Sequence, residues 1–241
     1  MIDLSLVVPL KNEEDSIVPL ATEISSALAS APWSWECLWI DDGSSDDGAA
    51  RIRALATTDP RHFLVSLERN YGQSGALLTG FARASGRWIA TLDADLQNNP
   101  ADLPRLLAVL EQGEADMVNG RRAVRRDGLV RRLSSRIANT VRNAMTGHSV
   151  SDVGCSLRVM RRECLVGLPY FKGMHRFLPT LVAMRGFRLM EIDVDHRARL
   201  HGDTKYGVGN RLWVGLDDLF GVMWLRRRGV WPRTAEPGDD R

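Results

Sequence analysis

The sequence predicts an α/β domain with a doubly wound, mostly parallel sheet. Three observations carry this. Short apolar runs alternate with amphipathic stretches of about 10–15 residues, the pattern of βαβ units. Acid-rich turns follow three of those runs, at Asn12-Glu13, Asp41-Asp42 and Asp93/Asp95. The 241 residues, 44% hydrophobic and 26% charged, suit one large folded core and exclude a disordered polymer.

The elements follow in order. Leu4-Ser5-Leu6-Val7-Val8-Pro9 reads as a buried strand that its proline ends, since proline cannot continue a ladder. Asn12-Glu13-Glu14-Asp15 places acids in the first turn of a helix running to Leu28, where they complement the helix dipole. Trp35 to Ile40 is a second strand, closed by the dense turn signal Asp41-Asp42-Gly43-Ser44-Ser45-Asp46. A helix over Ala49–Ala56, a strand over Phe63–Leu67 and a glycine-opened helix over Asn70–Ala84 come next. Trp88 to Leu92 is a fourth strand that runs into Asp93-Ala94-Asp95, followed by a helix over Pro100–Glu111 and a strand over Asp116–Asn119. The second half is less regular. It offers a basic amphipathic helix over Arg131–Met145, a strand over Leu189–His196 and a polar, glycine-containing loop over Arg199–Gly209. Helical spacing puts Trp213, Leu216, Leu219, Phe220, Met223 and Trp224 on one broad face, with Asp217, Asp218 and Gly221 opposite.

These assignments divide the chain into an α/β domain over 1–210, which the resemblance described below makes the catalytic one, an amphipathic membrane-interface helix over 211–228 and a disordered Pro/Gly/Asp-rich tail over 229–241. The N-terminus lacks the basic region of a signal peptide. No stretch reaches the ~18–20 apolar residues that a membrane span needs. The tryptophans and the triplet Arg226-Arg227-Arg228 suit a helix lying in a membrane interface, although a helix packed on the sheet would share much of the pattern. Cys37, Cys155 and Cys164 have no ligand spacing and read as reduced structural thiols. His148, His175, His196 and His201 likewise read as structural.

The net charge of +2 excludes nothing, but its distribution is informative: Arg121 to Arg142 carries eight arginines and one acid, Asp127. Such a cluster needs an anion. Without interleaved aromatics or a recognised module, nucleic acid is the poorer partner and phosphate the better one.

In an open α/β sheet, ligands bind beyond the carboxyl ends of the strands, where the three acidic turns fall. Asp93 and Asp95, leaving a strand at i and i+2, point to one side and can converge on a hard cation; Gln97 can add an amide oxygen. A lone Asp-X-Asp is more often a pair of turn acids; its company makes the difference here. The Asp42 turn could hold a base or ribose. Asn70-Tyr71-Gly72-Gln73-Ser74-Gly75 is neither a Walker A loop nor GxGxxG, and reads as a helix start with close backbone packing.

In order, Leu6-Val7-Val8-Pro9 with Asn12-Glu13, Asp41-Asp42-Gly43-Ser44-Ser45-Asp46, Asp93-Ala94-Asp95-Leu96-Gln97 and Asn119-Gly120-Arg121-Arg122 resemble the family 2 glycosyltransferases of GT-A fold. The likeness is closest to the polyprenyl-phosphate sugar transferases of dolichol-phosphate mannosyltransferase type, over about residues 1 to 225. The resemblance implies a Rossmann-like GT-A sheet with C-terminal amphipathic interface helices. It places Pro9, Glu13, Asp42 and Asp93 along the nucleotide, and Asp93, Asp95 and Gln97 around Mg²⁺ or Mn²⁺. Asp95 and Arg122 become the catalytic candidates, and Arg131, Ser135, Arg199 and Lys205 the acceptor-phosphate positions. Thr204 stands where serine is commoner, and Asn98-Asn99 is less typical than an acid or histidine followed by proline.

The reaction so implied inverts a hexose, mannose favoured, from a GDP- or UDP-sugar onto a dolichyl or undecaprenyl phosphate. A phosphate acceptor, with a second pKa near ~6, is already ionised and needs no general base. Expected partners are the nucleotide sugar, the polyprenyl phosphate and the inner face of the cytoplasmic membrane, without nucleic acid. Self-association or a separate membrane-spanning subunit stays open. So do two rivals: a family 2 enzyme using a UDP-sugar and a hydroxyl acceptor, and a non-catalytic nucleotide-binding module.

Overall fold

The computed structural model describes residues 2–122, 143–145, 147, 149–197 and 209–231, with side chains from 217 onward in the last stretch. Seven strands form one sheet: β1 (Leu4–Leu10), β2 (Trp35–Asp41), β3 (His62–Ser66), β4 (Trp88–Thr91), β5 (Met117–Arg122), β6 (Arg158–Arg161) and β7 (Leu189–Val194). Their order is β3-β2-β1-β4-β6-β5-β7. All neighbours are parallel except β6, which runs antiparallel between β4 and β5. The expected mostly parallel α/β sheet is therefore present.

Period-2 alternation in β1 sorts the core into two layers. Leu4, Leu6, Val8 and Leu10 face the helices α1 (Glu14–Leu28), α2 (Gly48–Thr58) and α4 (Leu103–Glu111), meeting Ile17, Leu20, Ile24, Ile52, Leu106 and Leu110. Val7 faces the other way, towards α3 (Gly72–Arg83), α5 (Leu178–Met184) and α6 (Gly209–Arg228), in a layer with Leu77, Leu181, Leu219 and Val222. Gly80 lets α3 lie flush on the sheet: a Cβ there would sit 2.2 Å from Val7 Cγ1.

Several details differ from the sequence reading. Pro9 lies inside β1 rather than ending it, in register with Ile40 of β2. Along β1, Val7 O accepts from Leu92 N on the β4 side, whereas Leu10 O accepts from Asp42 N on the β2 side. Pro9 shares the β4-facing phase of Val7, so its missing N–H ends that ladder alone. The β4 pairing stops at Val7↔Thr91, while the β2 pairing continues to Leu10↔Asp41. The chain after Pro100 makes a 3₁₀ turn over Pro100–Asp102 before α4 begins. Strand β6 and helix α5 were not anticipated.

Helix α6 turns differently from its expected broad face. Leu219 and Val222 are buried, but Phe220 and Trp224 are 61% and 63% exposed. They share the outer side with Asp217, Arg227 and Arg228, while Asp218 faces inward to Arg176. No helix among the described residues is long and apolar enough to cross a membrane. Most of the expected Arg131–Met145 helix, the loop over 198–208 and the tail from 232 lie outside the described residues.

Candidate active site

Strands β2, β1 and β4 are adjacent in the sheet, so the turns after Leu10, Asp41 and Thr91 emerge side by side. The chain connection reverses at β1, which has β2 on one side and β4 on the other. Such a reversal opens a crevice at the carboxyl ends.

The first two turns are laced together. Asn12, held at φ 53°, accepts Ser45 N–H on Oδ1 at 2.8 Å and donates its own N–H to Ser44 Oγ at 2.9 Å. Asp46 accepts from Glu14 N at 3.0 Å and Gly48 N at 3.1 Å, fixing the starts of α1 and α2. Glu13 occupies the residue before α1 and is half-buried.

Asp42 is 5% exposed, and its carboxylate accepts from Tyr71 N at 2.6 Å and Gly72 N at 2.8 Å. These N–H groups open α3, where helical donors lack intrahelical partners and the dipole favours an anion. Gly72 enters the helix at φ +78°, a conformation glycine adopts without strain. The geometry thus gives Asp42 a structural task that the sequence did not reveal: it fixes the start of α3. That start delivers Gln73, whose Nε2 donates to Asp93 Oδ1 at 2.8 Å.

Asp93 N donates to Ser156 Oγ at 3.2 Å, and Asn98 Nδ2 donates to the same oxygen at 2.7 Å. Ser156 therefore clips both ends of the Asp93–Asn98 turn to the segment entering β6. Within that turn Leu96 sits at φ 61° and Asp95 Oδ1 accepts Gln97 N–H at 3.2 Å. Gln97 O accepts from Arg197 N at 2.8 Å, and an antiparallel bridge joins Asn98 to His196. The atypical Asn98-Asn99 pair thus has local work: Asn98 is the buried clip, and Asn99 caps the turn at Pro100 by accepting Ala101 N–H.

A cleft of about 490 Å³, counted with its open mouth, is lined by Pro9, Gln73, Thr91, Asp93, residues 153–156, Arg158, His175 and Arg176. Pro9 and Asp93 therefore share one wall system. Asp95 and Gln97 continue the same turn. Asp93, Asp95 and Gln97 offer only oxygen ligands, the donor class of Mg²⁺ and Mn²⁺, within five residues. Among the described residues no three His, Cys, Asp or Glu side chains meet to hold an ion alone.

Arg122 ends β5 with its fork bidentate on Asp152, Nε to Oδ2 at 2.7 Å and Nη2 to Oδ1 at 2.8 Å. The Asp152 side chain is 2% exposed, so Arg122 already has a buried anion as partner. Arg131, Ser135, Arg199 and Lys205 lie outside the described residues.

Two cleft residues escaped the sequence reading. Arg158 of β6 stands opposite Thr91 on one side and Asn119 on the other, and is 4% exposed. His175, read as structural, lines the cleft, and burial beside Arg176 and Arg158 pushes it down to about 3. A buried arginine on a four-residue strand has no periodicity to betray it. A histidine in a short 3₁₀ turn has none either.

Comparison with known proteins identifies the family and the fold. The model of the family described as "Glycosyl transferase family 2" matches residues 5–167. The dodecaprenyl-phosphate galacturonate synthase of Rhizobium johnstonii is 40% identical over 235 residues, 96% of this chain and 69% of that one. The undecaprenyl-phosphate 4-deoxy-4-formamido-L-arabinose transferase of Yersinia enterocolitica is 40% identical over 206 residues, 85% of this chain; the match spans 63% of that relative, less than two thirds of its length. Among solved structures, glucosyl-3-phosphoglycerate synthase from Mycobacterium tuberculosis, in complex with Mn²⁺, UDP and phosphoglyceric acid, superposes with TM-score 0.69. It covers 99% of this chain and 84% of its own at 22% identity, a likeness of fold.

Proposed function

The chain belongs to glycosyl transferase family 2, and from that premise we propose that it moves a sugar from a nucleoside diphosphate onto a polyprenyl phosphate with inversion at the anomeric carbon. The observation that carries this reading is the oxygen-donor turn Asp93-Ala94-Asp95-Leu96-Gln97 at the β1 reversal, braced by Gln73 and Ser156 beside an open cleft. Pro9 and Glu13 flank the nucleoside. Asp42 shapes that pocket by fixing the start of α3, and its carboxylate also faces the base or ribose.

Mg²⁺ or Mn²⁺, when bound by Asp93, Asp95 and Gln97, supplies neutralisation of the charge that grows on the departing diphosphate. The protein's part is to hold those three groups in one geometry before substrate arrives. Gln73 restrains Asp93, and the Arg197 and His196 backbone restrains Gln97 and Asn98.

The acceptor assignment has its own support. Among the described residues lining the cleft, Asp93 is the one carboxylate, and the metal role occupies it. A hydroxyl acceptor needs a general base; an ionised phosphate needs positioning only. Both relatives are named for polyprenyl phosphates. Arg131, Ser135, Arg199 and Lys205 remain the proposed phosphate contacts. Arg122 acts through Asp152, as a positioning residue for the loop that leads to Ser156 and Arg158. UDP is the favoured nucleotide, since the solved structure of like fold described above holds it. Mannose, implied by the resemblance, is not carried forward, because the two relatives are named for other sugars.

We assign the outer side of α6, with Phe220, Trp224, Arg227 and Arg228, to the membrane interface, the C-terminal role expected for residues 211–228. Incubation with undecaprenyl phosphate, Mn²⁺ and a panel of UDP-sugars, followed by mass measurement of the lipid, tests the function. A lipid heavier by one sugar supports it; sugar appearing only on hydroxyl acceptors, or none consumed, rejects it.

A further inference from the structure

The cleft beside Asp93 has a wall of nitrogen donors. Arg158 gives Nε to Asn119 Oδ1 at 2.9 Å, Nη1 to His175 O at 2.8 Å and Nη2 to Val153 O at 2.9 Å. All three acceptors are neutral, and the carboxylates that act on this guanidinium, Asp93 and Asp152, do so through their charge. A guanidinium has five N–H groups, so two are left, one on each terminal nitrogen. Burial of such a cation is costly unless an anion faces it.

His175 adds a donor that stays neutral. Ser74 Oγ accepts Gly173 N–H at 3.0 Å and lies 2.9 Å from His175 Nδ1. With the serine hydrogen directed at Nδ1, the ring proton lies on Nε2, the tautomer in which His175 is a donor. Arg176 is the third member. Its Nη2 meets Asp218 Oδ2 at 2.9 Å, and its buried Nε has no partner among the described residues. Arg158 and Arg176 donate and never accept, and His175 in this tautomer donates only from Nε2.

Neutral sugar hydroxyls both donate and accept, and a wall that only donates matches them poorly. A carboxylate only accepts, and its planar fork suits guanidinium. The diphosphate held at Asp93 ties the sugar covalently to the mouth of this cleft, within reach of the wall. Resting on the function proposed above, we infer that Arg158, His175 and Arg176 form a subsite for a carboxylate-bearing donor sugar, so that the enzyme selects a hexuronosyl nucleotide over the matching neutral hexose. The relative named for galacturonate is matched along 96% of this chain, the one named for an uncharged arabinose derivative along 85%.

The test compares UDP-galacturonate, UDP-galactose and UDP by calorimetry on the full chain with Mn²⁺. The expected advantage of the uronate over the neutral sugar is at least about tenfold, the worth of one hydrogen bond to a charged group. His175→Gln, Arg176→Gln and the charge-keeping Arg158→Lys should each shrink that advantage while UDP affinity holds. Equal affinity of the native protein for the two sugars overturns the subsite and leaves the transferase reading standing. Failure to bind any of the three nucleotides sinks both. Variants that keep sugar selectivity but raise the KM for undecaprenyl phosphate also overturn it, by making the wall an acceptor-phosphate site.

Discussion

Gln73 in the first turn of α3 donates its side-chain amide to Asp93 Oδ1 at 2.8 Å, joining the helix that Asp42 anchors to the turn that ends β4. The proposed metal carboxylate is thereby oriented from a second element of the fold, not by its own loop alone.

Replacing Gln73 by leucine removes that restraint and leaves Asp93 in place. The apparent affinity for Mn²⁺ in the presence of UDP should fall by about three- to tenfold, roughly one ordinary hydrogen bond. Titration of Mn²⁺ against transfer rate measures it; an unchanged curve would show that Asp93 orients itself.

The Arg122–Asp152 pair makes a stability prediction. Arg122→Ala leaves a buried carboxylate without its cation and should destabilise the fold by about 3–5 kcal/mol. The double replacement Arg122→Met with Asp152→Leu should recover part of that loss: no charge is left behind, although the N–H groups of Arg122 and Gly154 lose their acceptor. Urea unfolding of both variants decides. A cost below about 1 kcal/mol for Arg122→Ala would free this arginine for direct phosphate binding.

His175 predicts acid sensitivity. Its folded pKa of about 3 lies below the unfolded value near ~6.5, so between them the unfolded chain binds more protons. Its contribution is complete above about pH 6.5, and stability falls as pH drops through that value and on towards about pH 3, by up to about 1.4 kcal/mol per unit. His175→Gln should flatten that slope. His62 is shifted downward by burial too, so the difference between native and variant proteins at about pH 7 and about pH 5 isolates His175. Identical slopes would mean that His175 is solvated.

Phe220 and Trp224 face outward on α6 beside Arg227 and Arg228. Replacing both aromatics by serine should weaken sedimentation with vesicles rich in phosphatidylglycerol by about tenfold or more, given ~1.5–3 kcal/mol for burying each large apolar group. UDP binding should not change. Undiminished vesicle binding would leave α6 as a packing helix only.

The first half of the fold was legible because β1, β2 and β4 are fully buried apolar runs closed by turn residues, and their acidic ends mark the crevice. Pro9 misled because proline breaks only the ladder that would use its N–H: the β4 pairing ends there, while the β2 pairing runs on to Leu10. Strand β6 hid because two of its four residues are arginines, and the polar Arg158 is buried by hydrogen bonds to Asn119, Val153 and His175, which only the folded chain brings around it. Asp42 read as a ligand-facing turn acid; its hold on α3 depends on a loop about 30 residues away. On α6, helical spacing put Phe220 and Trp224 on one face with Leu219, but the packed side runs through Leu219, Val222 and Asp218 and leaves those aromatics outside, because spacing does not show where the sheet lies.

The most direct test is the environment of bound Mn²⁺. Electron paramagnetic resonance of the native protein with Mn²⁺ should show an immobilised ion whose signal changes when UDP is added. In Asp95→Ala that bound signal should be lost, together with sugar transfer. If Asp95→Ala held Mn²⁺ and UDP with the native spectrum and turned over at the native rate, a metal site on Asp93 and Asp95 would be contradicted.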